Sequence, residues 1–175
     1  MINNKCTGDT CMKIIWAPWR IKYILQEKPE GCIFCKYRDT PEKDEENLVV
    51  YRGKYVFAVL NLYPYNPGHL MIATYRHVGS FTELEDNELF DLNKTLQLML
   101  KAIDKAMKPD GYNVGINLGK VAGAGIEDHI HVHVVPRWLG DTNFIPVIAD
   151  TKVIPEALKD TYKKIKKAVE EITHG

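Results

Sequence analysis

The sequence predicts an α+β fold in which a five-stranded antiparallel sheet is combined with one long helix and a C-terminal helix. Three observations support this prediction. Five short runs are apolar and β-branched, two longer runs have the periodicity of amphipathic helices, and their order is hairpin, strand, helix, strand, strand, helix. That order lacks the regular strand–helix alternation of a doubly wound parallel sheet, so an antiparallel sheet fits better.

The first three strands lie in the N-terminal half. Residues 48–51 and 55–60 flank a Gly53-Lys54 turn, and this pattern predicts a hairpin whose second strand is buried. Residues 61–68 contain two prolines, two asparagines and a glycine, which predicts a loop. Residues 69–74 predict the third strand, and the charged residues 41–46 ahead of the hairpin predict a loop.

The long helix is predicted after residue 82. Thr82-Glu-Leu-Glu85 has the pattern of a capping box, and apolar residues then recur at spacings of three and four as far as Met107. Pro109 and Gly111 predict its end. Residues 112–118 predict the fourth strand, and residues 119–125 a glycine-containing loop. Residues 130–135 predict the fifth strand, and a last helix is predicted to begin at Pro155 and to run to residue 172.

Length and composition bound the function. The 175 residues suit a single domain, which we expect over residues 13–175, with residues 1–12 as a disordered or non-native leader. The 23 basic residues cancel the 23 acidic ones, so no global charge favours nucleic acid or a membrane surface. No apolar run has the length of a membrane span or a signal peptide, and we expect a cytoplasmic protein. Cys6 and Cys11 lie in the leader and receive no role.

Three of the six histidines fall within the segment His129-Ile-His131-Val-His133. Side chains alternate between the faces of a strand, so the three histidines are predicted to share one face about 6.6 Å apart. Three polar rings on one face need partners, which disfavours a purely structural role. Two functions remain open from the residues alone: a metal site, or nucleophilic attack on phosphorus by one imidazole with support from the others. The glycines between residues 119 and 125 favour a phosphate substrate, because such loops bring backbone amides close to phosphate oxygens.

The histidine segment, extended to Val135, resembles the signature of the histidine-triad (HIT) superfamily. Residues 61–70 resemble its nucleoside-binding strand and loop, and residues 113–119 its penultimate strand. Trp16-Ala-Pro-Trp-Arg20 and residues 137–144 resemble one branch, the bacterial diadenosine tetraphosphate phosphorylases, also called ATP adenylyltransferases. The resemblance runs from about residue 14 to the end of the chain.

The resemblance implies roles for individual residues. His131 matches the nucleophile, and His133 the histidine that contacts the phosphate and assists the leaving group. Asn61 and Leu62 match the residues at the ribose and the base. The remaining nucleotide-binding positions match phosphate-contacting residues of the family and are Asn117, Gly123, Ala124, Gly125 and Ile126. Family members are usually homodimers, so we expect a homodimer.

A C-x-x-C pair, Cys32 and Cys35, indicates a metal or redox site in a cytoplasmic protein. Two cysteines supply only half of a four-ligand zinc site. In related branches, a C-x-x-C pair, a histidine after the third strand and the first triad histidine hold zinc, and here these positions are Cys32, Cys35, His77 and His129. The resemblance therefore implies a structural zinc ion. The alternative is a pair of buried thiols with His77 on the surface, and a redox role is disfavoured because no βαβ pattern surrounds the pair.

The resemblance implies an enzyme that splits a dinucleoside polyphosphate, with diadenosine tetraphosphate phosphorolysis to ATP and ADP as the expected reaction. Hydrolysis by water would use the same residues in its first step. The alternatives are a phosphoramidase of the same fold and, in a different class, a nucleotide-binding module without turnover.

Overall fold

A computed structural model describes residues 31–141 and 156–175, which belong to one compact unit. The tryptophan segment at residues 16–20, the leader and the predicted start of the last helix at residue 155 lie outside the described residues. Within the described part of the chain, no helix is both long enough and apolar enough to cross a membrane.

The centre of the fold is one antiparallel sheet with the strand order β1-β2-β3-β5-β4. Each strand pairs with its neighbours in antiparallel register. The strands are β1 Val49–Arg52, β2 Val56–Leu60, β3 Leu70–Thr74, β4 Gly111–Ile116 and β5 His131–Arg137. The predicted α+β class and five-stranded antiparallel sheet are confirmed.

In the part of the chain that the structure describes, four helices accompany the sheet, and two of them carry most of the helical core. They are α1 Ile33–Asp39, α2 Asp44–Asn47, α3 Asp86–Met107 and α4 Leu158–Thr173. The main core contains Leu70 and Ile72 of β3, Val132 and Val134 of β5, Met99 and Ile103 of α3, and Ile165 and Val169 of α4. Alternate strand residues therefore face these two long helices, as the periodicity predicts.

The opposite face of the sheet packs against α1. Its core contains Phe34 and Tyr37 of that helix together with Phe57 and Val59 of β2 and Met71 and Ala73 of β3. Ala73 pairs with His131, and Met71 pairs with His133, so these two histidines lie on this second face. The fold thus separates a hydrophobic core under the long helices from a histidine-bearing face under α1.

Three local predictions are wrong. The capping box belongs to Glu85 and Glu88, and α3 begins at Asp86. Thr82 lies instead in a short 3-10 turn, where its amide donates to the Ser80 hydroxyl, and Leu84 has an extended ψ of 136°. The charged residues after Pro41 form helical turns rather than an open loop.

The third error concerns the last strand. It begins at His131 rather than at residue 130 and continues to Arg137, so His129 precedes it. Pro136 is tolerated inside this strand because pairing with β3 ends at Val134, which leaves no ladder bond on that side for the missing proline N–H. His129 still lies next to His131, and its position before the strand matters for the site.

Candidate active site and metal cluster

Four potential metal-ligand atoms lie close together beside the start of β5. Cys32 and Cys35 lie at the start of α1, His77 follows β3, and His129 precedes β5. One ligand atom from each of these residues lies within 4.8 Å of the other three. The His129 Nδ1 atom is 3.2 Å from the Cys32 Sγ, 3.7 Å from the Cys35 Sγ and 3.1 Å from the His77 Nδ1. The predicted quartet is therefore brought together by three separate segments.

The donor set fits a metal ion. Metal bonds of about 2.0–2.3 Å at tetrahedral angles place sulfur and nitrogen ligands roughly 3.3–3.8 Å apart, close to the spacings of this cluster. His129 also has the hydrogen bond expected of a ligand, since its Nε2 lies 2.7 Å from the Thr74 carbonyl oxygen. Donation to that carbonyl leaves the Nδ1 lone pair directed at the cluster. These four residues form a candidate metal site.

Burial sets the electrostatics of this region. Burial is the main cause that lowers the pKa of His129 to about 4, and it also lowers the pKa of His131. Burial and the neighbouring Cys32 raise the pKa of the Cys35 thiol. Both histidines are therefore neutral near pH 7, and a neutral imidazole has the lone pair that a ligand or a nucleophile requires.

His131 is oriented by its own backbone neighbourhood. Its Nδ1 lies 2.8 Å from the His129 carbonyl oxygen, and a carbonyl can only accept, so the Nδ1 carries the hydrogen. The lone pair of neutral His131 is therefore on Nε2. Within residues 31–141 and 156–175, the Nε2 atom has no hydrogen-bond partner. His131 is thus a buried, neutral imidazole whose second nitrogen keeps an unshared lone pair.

His133 has the opposite tautomer, which a chain of hydrogen bonds fixes. The amide of Tyr65 donates to the His69 Nδ1 at 3.1 Å, so neutral His69 carries its hydrogen on Nε2. The His69 Nε2 lies 3.0 Å from the His133 Nδ1 and donates to it, which places the His133 hydrogen on Nε2. The rings of His131 and His133 are 4.9 Å apart and nearly perpendicular. In these neutral tautomers, the Nε2 atom of His131 carries a lone pair and the Nε2 atom of His133 carries a hydrogen.

The predicted nucleotide-binding residues come from separate segments of the described chain. Gly115 pairs with His133 at the sheet edge, and Asn117 follows the end of the same strand. Leu62 is 47% exposed in the loop before β3, where the Asn61 side chain accepts from the Tyr63 amide. Leu62 thus presents an exposed apolar side chain, and Asn61 and Asn117 are both partly exposed.

The backbone amides of the glycine-containing loop differ in whether they are already hydrogen-bonded. The Gly123 amide donates to the Lys120 carbonyl at 2.9 Å, and the Ala124 amide is directed at the Gly119 carbonyl at 3.4 Å. In the described part of the chain, the amides of Gly125 and Ile126 have no such acceptor, and Ile126 packs beside the α1 face. Only the last two predicted residues of this loop can therefore offer amides without breaking a turn bond.

The family of this chain follows from its similarity to known proteins. A profile of the HIT domain matches residues 42–138, which include the histidine strand. The chain is 46% identical over 154 residues to the AP-4-A phosphorylase of Mycobacterium tuberculosis, and the match covers 84% of this chain and 79% of that protein. The chain belongs to the HIT family.

Solved HIT structures have the same fold. A hypothetical histidine triad nucleotide-binding protein from Sulfolobus tokodaii is 28% identical, with a TM-score of 0.65 over 81% of this chain and 94% of that one. A zinc-bound histidine triad family protein from Mycobacterium smegmatis also has a TM-score of 0.65, at 21% identity over 82% of this chain and 96% of that one. The sheet and the long helices of this chain are therefore those of the HIT fold.

Two residues of the HIT site could not be assigned from the sequence. His69 lies just before β3 and donates directly to His133, a contact that the spacing of the two histidines in the sequence does not reveal. Phe34 received no role, although its ring lies 5.0 Å from that of His131. The available signal for Phe34 was its place between the two cysteines, since any segment that brings Cys32 and Cys35 to His129 also brings the intervening side chains close to the histidine strand.

Proposed function

We propose that the protein is a nucleotidyltransferase that cleaves diadenosine tetraphosphate by way of a nucleotidyl-histidine, with inorganic phosphate as the final acceptor. The observation that carries the proposal is the orientation of His131, whose Nδ1–H is bound to the His129 carbonyl and whose Nε2 lone pair has no hydrogen-bond partner among the described residues. The 46% identity to a mycobacterial AP-4-A phosphorylase supports the choice of substrate and acceptor.

In the first step, the His131 Nε2 attacks the α-phosphorus of one adenylyl group. A nitrogen–phosphorus bond forms, and the bond from phosphorus to the bridging oxygen breaks with its electron pair going to ATP. The His133 Nε2–H donates to that oxygen, and His69 holds His133 in the required tautomer. Amides of Gly125 and Ile126, with Asn117, stabilise the charge on the phosphoryl oxygens.

In the second step, an oxygen of inorganic phosphate attacks the same phosphorus atom. The nitrogen–phosphorus bond breaks, its electron pair returns to the His131 Nε2, and ADP is released. Water in place of phosphate would give AMP instead. The ribose and base of the bound adenosine contact Asn61 and Leu62.

We further propose that the metal ion of the Cys32, Cys35, His77 and His129 site is zinc. Two thiolates and two imidazoles are a common ligand set for structural zinc, and the short spacings in this cluster support it. The ion would hold the start of α1 next to the residues that precede β5. Its role would be structural, with no Lewis-acid chemistry on the substrate.

The test is product analysis on diadenosine tetraphosphate with and without phosphate. We expect ATP and ADP only when phosphate is present, whereas ATP and AMP without phosphate would indicate a hydrolase. Cleavage of adenosine phosphoramidate, with none of the dinucleotide, would favour the phosphoramidase alternative. Binding without turnover of either compound would favour a nucleotide-binding module.

A second measurement tests the nucleophile itself. His131→Ala should abolish turnover, while His174→Ala, which changes an exposed histidine near the C-terminus, should leave it intact. Survival of turnover in His131→Ala would exclude the covalent step. Mass spectrometry of wild type quenched with substrate should detect the adenylylated protein.

A further inference from the structure

The side chain between the two cysteines lies on the proposed nucleophile. Phe34 belongs to the first turn of α1 and is fully buried. Its ring is 5.0 Å from the ring of His131 at an interplanar angle of 43°, and 5.2 Å from the ring of His129 at 57°. A single aromatic ring therefore contacts both a metal-cluster histidine and the proposed nucleophile.

Besides the nearly perpendicular ring of His133 at 4.9 Å, two restraints act on different parts of the His131 ring. The bond from Nδ1 to the His129 carbonyl holds one edge of the ring, but a single hydrogen bond still permits tilting about its axis. Phe34 packs against the same ring in a tilted arrangement and opposes that tilting. With both restraints, the Nε2 lone pair is directed at one point in the site.

We infer that Phe34 is a positioning residue for His131, and that the metal cluster, acting through Phe34, sets the orientation of the His131 ring. The inference rests on the proposed function in taking His131 as the attacking group. Cys32 and Cys35 bracket Phe34, so an ion held by both cysteines fixes the backbone from which the Phe34 ring projects. Binding the metal thereby orders the nucleophile without touching the substrate.

This arrangement predicts a specific kinetic effect. In-line attack is sensitive to small displacements, and a shift of about 1 Å can cost roughly a hundredfold in rate. Phe34→Leu keeps an apolar side chain but removes the flat surface. We expect kcat to fall about tenfold or more while KM for the dinucleotide changes less than about twofold, because the ring contacts of Phe34 among the described residues are with Phe57, His129 and His131 rather than with the predicted nucleoside loop. The metal content of the variant should stay at that of wild type.

Phe57→Leu is the matched control. Phe57 is also a buried phenylalanine of the same core, and its ring packs edge-on against Phe34 at 6.3 Å. Within the described residues, its ring contacts are with Phe34, Tyr75 and the Arg52 guanidinium, and none is with a histidine. Phe57→Leu should lower the melting temperature as much as Phe34→Leu does, with kcat reduced less than about threefold.

A second readout does not depend on turnover. In ¹⁵N-histidine-labelled protein without substrate, the His131 ring signals, assigned with His131→Asn, should shift and broaden in Phe34→Leu, since they lose the neighbouring aromatic ring. The His174 signals provide an internal reference. Removal of metal from wild type by a chelator should move the same His131 signals, and chelation should move them less in Phe34→Leu, because only the connection through the His129 carbonyl then remains.

Unchanged kcat in Phe34→Leu, together with unchanged His131 signals, would overturn the inference and leave Phe34 as packing only. Should Phe34→Leu fail to fold, Phe34→Met keeps the side-chain volume without a ring and carries the same expectations. Failure of the proposed function is distinguishable, since turnover by His131→Ala would exclude the covalent step while the ring signals still report whether Phe34 orients His131.

Discussion

The His69 Nε2 lies 3.0 Å from the His133 Nδ1 and donates its hydrogen to it. The donor nitrogen is fixed because the Tyr65 amide occupies the His69 Nδ1. His69→Ala removes this bond, so the His133 hydrogen is no longer held on Nε2. We expect kcat to fall about ten- to a hundredfold, corresponding to the loss of about 1.4–2.7 kcal/mol of transition-state stabilisation.

Steady-state kinetics on the dinucleotide substrate tests this prediction. His69→Gln provides a comparison in which a side-chain amide can still donate, and it should retain more activity than His69→Ala. Equal kcat values for wild type and His69→Ala would show that the tautomer of His133 does not matter for turnover.

The histidine strand shows how much of the site the sequence could predict. The period of two places His131 and His133 on one face, and their pairing with Ala73 and Met71 confirms it. The alternation of side chains along β5 does not indicate that His69 contacts His133. His69 is 64 positions away from His133 in the sequence, and their contact depends on the alignment of β3 and β5, which no local pattern determines.

The helix boundaries show a second limit. Thr82 and Glu85 fit the preferred sequence of a capping box, but the box forms three residues later with Glu85 at the N-cap. Glutamate is not among the preferred N-cap residues, so local preference does not explain why the helix begins after Glu85. A tertiary contact contributes, since Arg76 binds the Glu88 carboxylate from outside the helix. The seven residues of α1 are too few to display a period, so the C-x-x-C segment was not predicted to be helical.

Removal of the metal should destabilise the protein. Cys35→Ser removes one of the four candidate ligands, and we expect metal content to fall well below one ion per chain. Loss of a structural ion of this kind costs several kcal/mol, which for a chain of this size lowers the melting temperature by about 5–15 °C. Elemental analysis and thermal unfolding measure the two effects.

Cys11→Ser is the matched control for that experiment, because this cysteine lies in the predicted leader and should affect neither quantity. A chelator should reproduce the thermal shift in wild type and cause no additional shift in Cys35→Ser. Retention of a full complement of metal by Cys35→Ser would remove this residue from the ligand set.

A pH-dependent contribution to stability is expected from Glu88. Its carboxylate accepts from Arg76 through both oxygens, at 3.0 and 2.6 Å, and from the Glu85 amide at 2.9 Å. The bond from Arg76 is the main cause that holds the pKa of Glu88 below its usual value. A carboxyl group with a lowered pKa stabilises the fold fully above its unfolded pKa of about 4.3, and the contribution disappears as the pH falls through the folded-state pKa.

Glu88→Gln should therefore lower the free energy of unfolding by about 1–3 kcal/mol at pH 7, and its difference from wild type should shrink as the pH falls below about 4.3. Urea unfolding at a series of pH values measures this. Glu83→Gln changes an exposed side chain of the preceding turn and should show no such difference. A constant gap between Glu88→Gln and wild type across the pH range would contradict the assigned ion pair.

The loop that carries Asn61 and Leu62 is held at its far end by Asn66. This side chain is 7% exposed and donates to the Pro136 carbonyl at 3.0 Å and to the Asp141 carboxylate at 2.7 Å. Asp141 is itself held by Arg137, whose hydrogen bond is the main cause that keeps the pKa of that carboxyl well below its usual range. Asn66 therefore ties the predicted nucleoside loop to the end of β5.

Asn66→Ala should loosen that attachment and leave the Pro136 carbonyl without its donor. We expect KM for the dinucleotide to rise about three- to tenfold, because about 0.7–1.4 kcal/mol of binding is then spent on ordering the loop. The effect on kcat should be smaller, since the His131 tautomer depends on a different carbonyl. Asn93→Ala, which removes an exposed helical asparagine, should leave KM unchanged. A KM equal to that of wild type in Asn66→Ala would show that the loop keeps its conformation without this attachment, and that nucleoside binding depends on residues outside it.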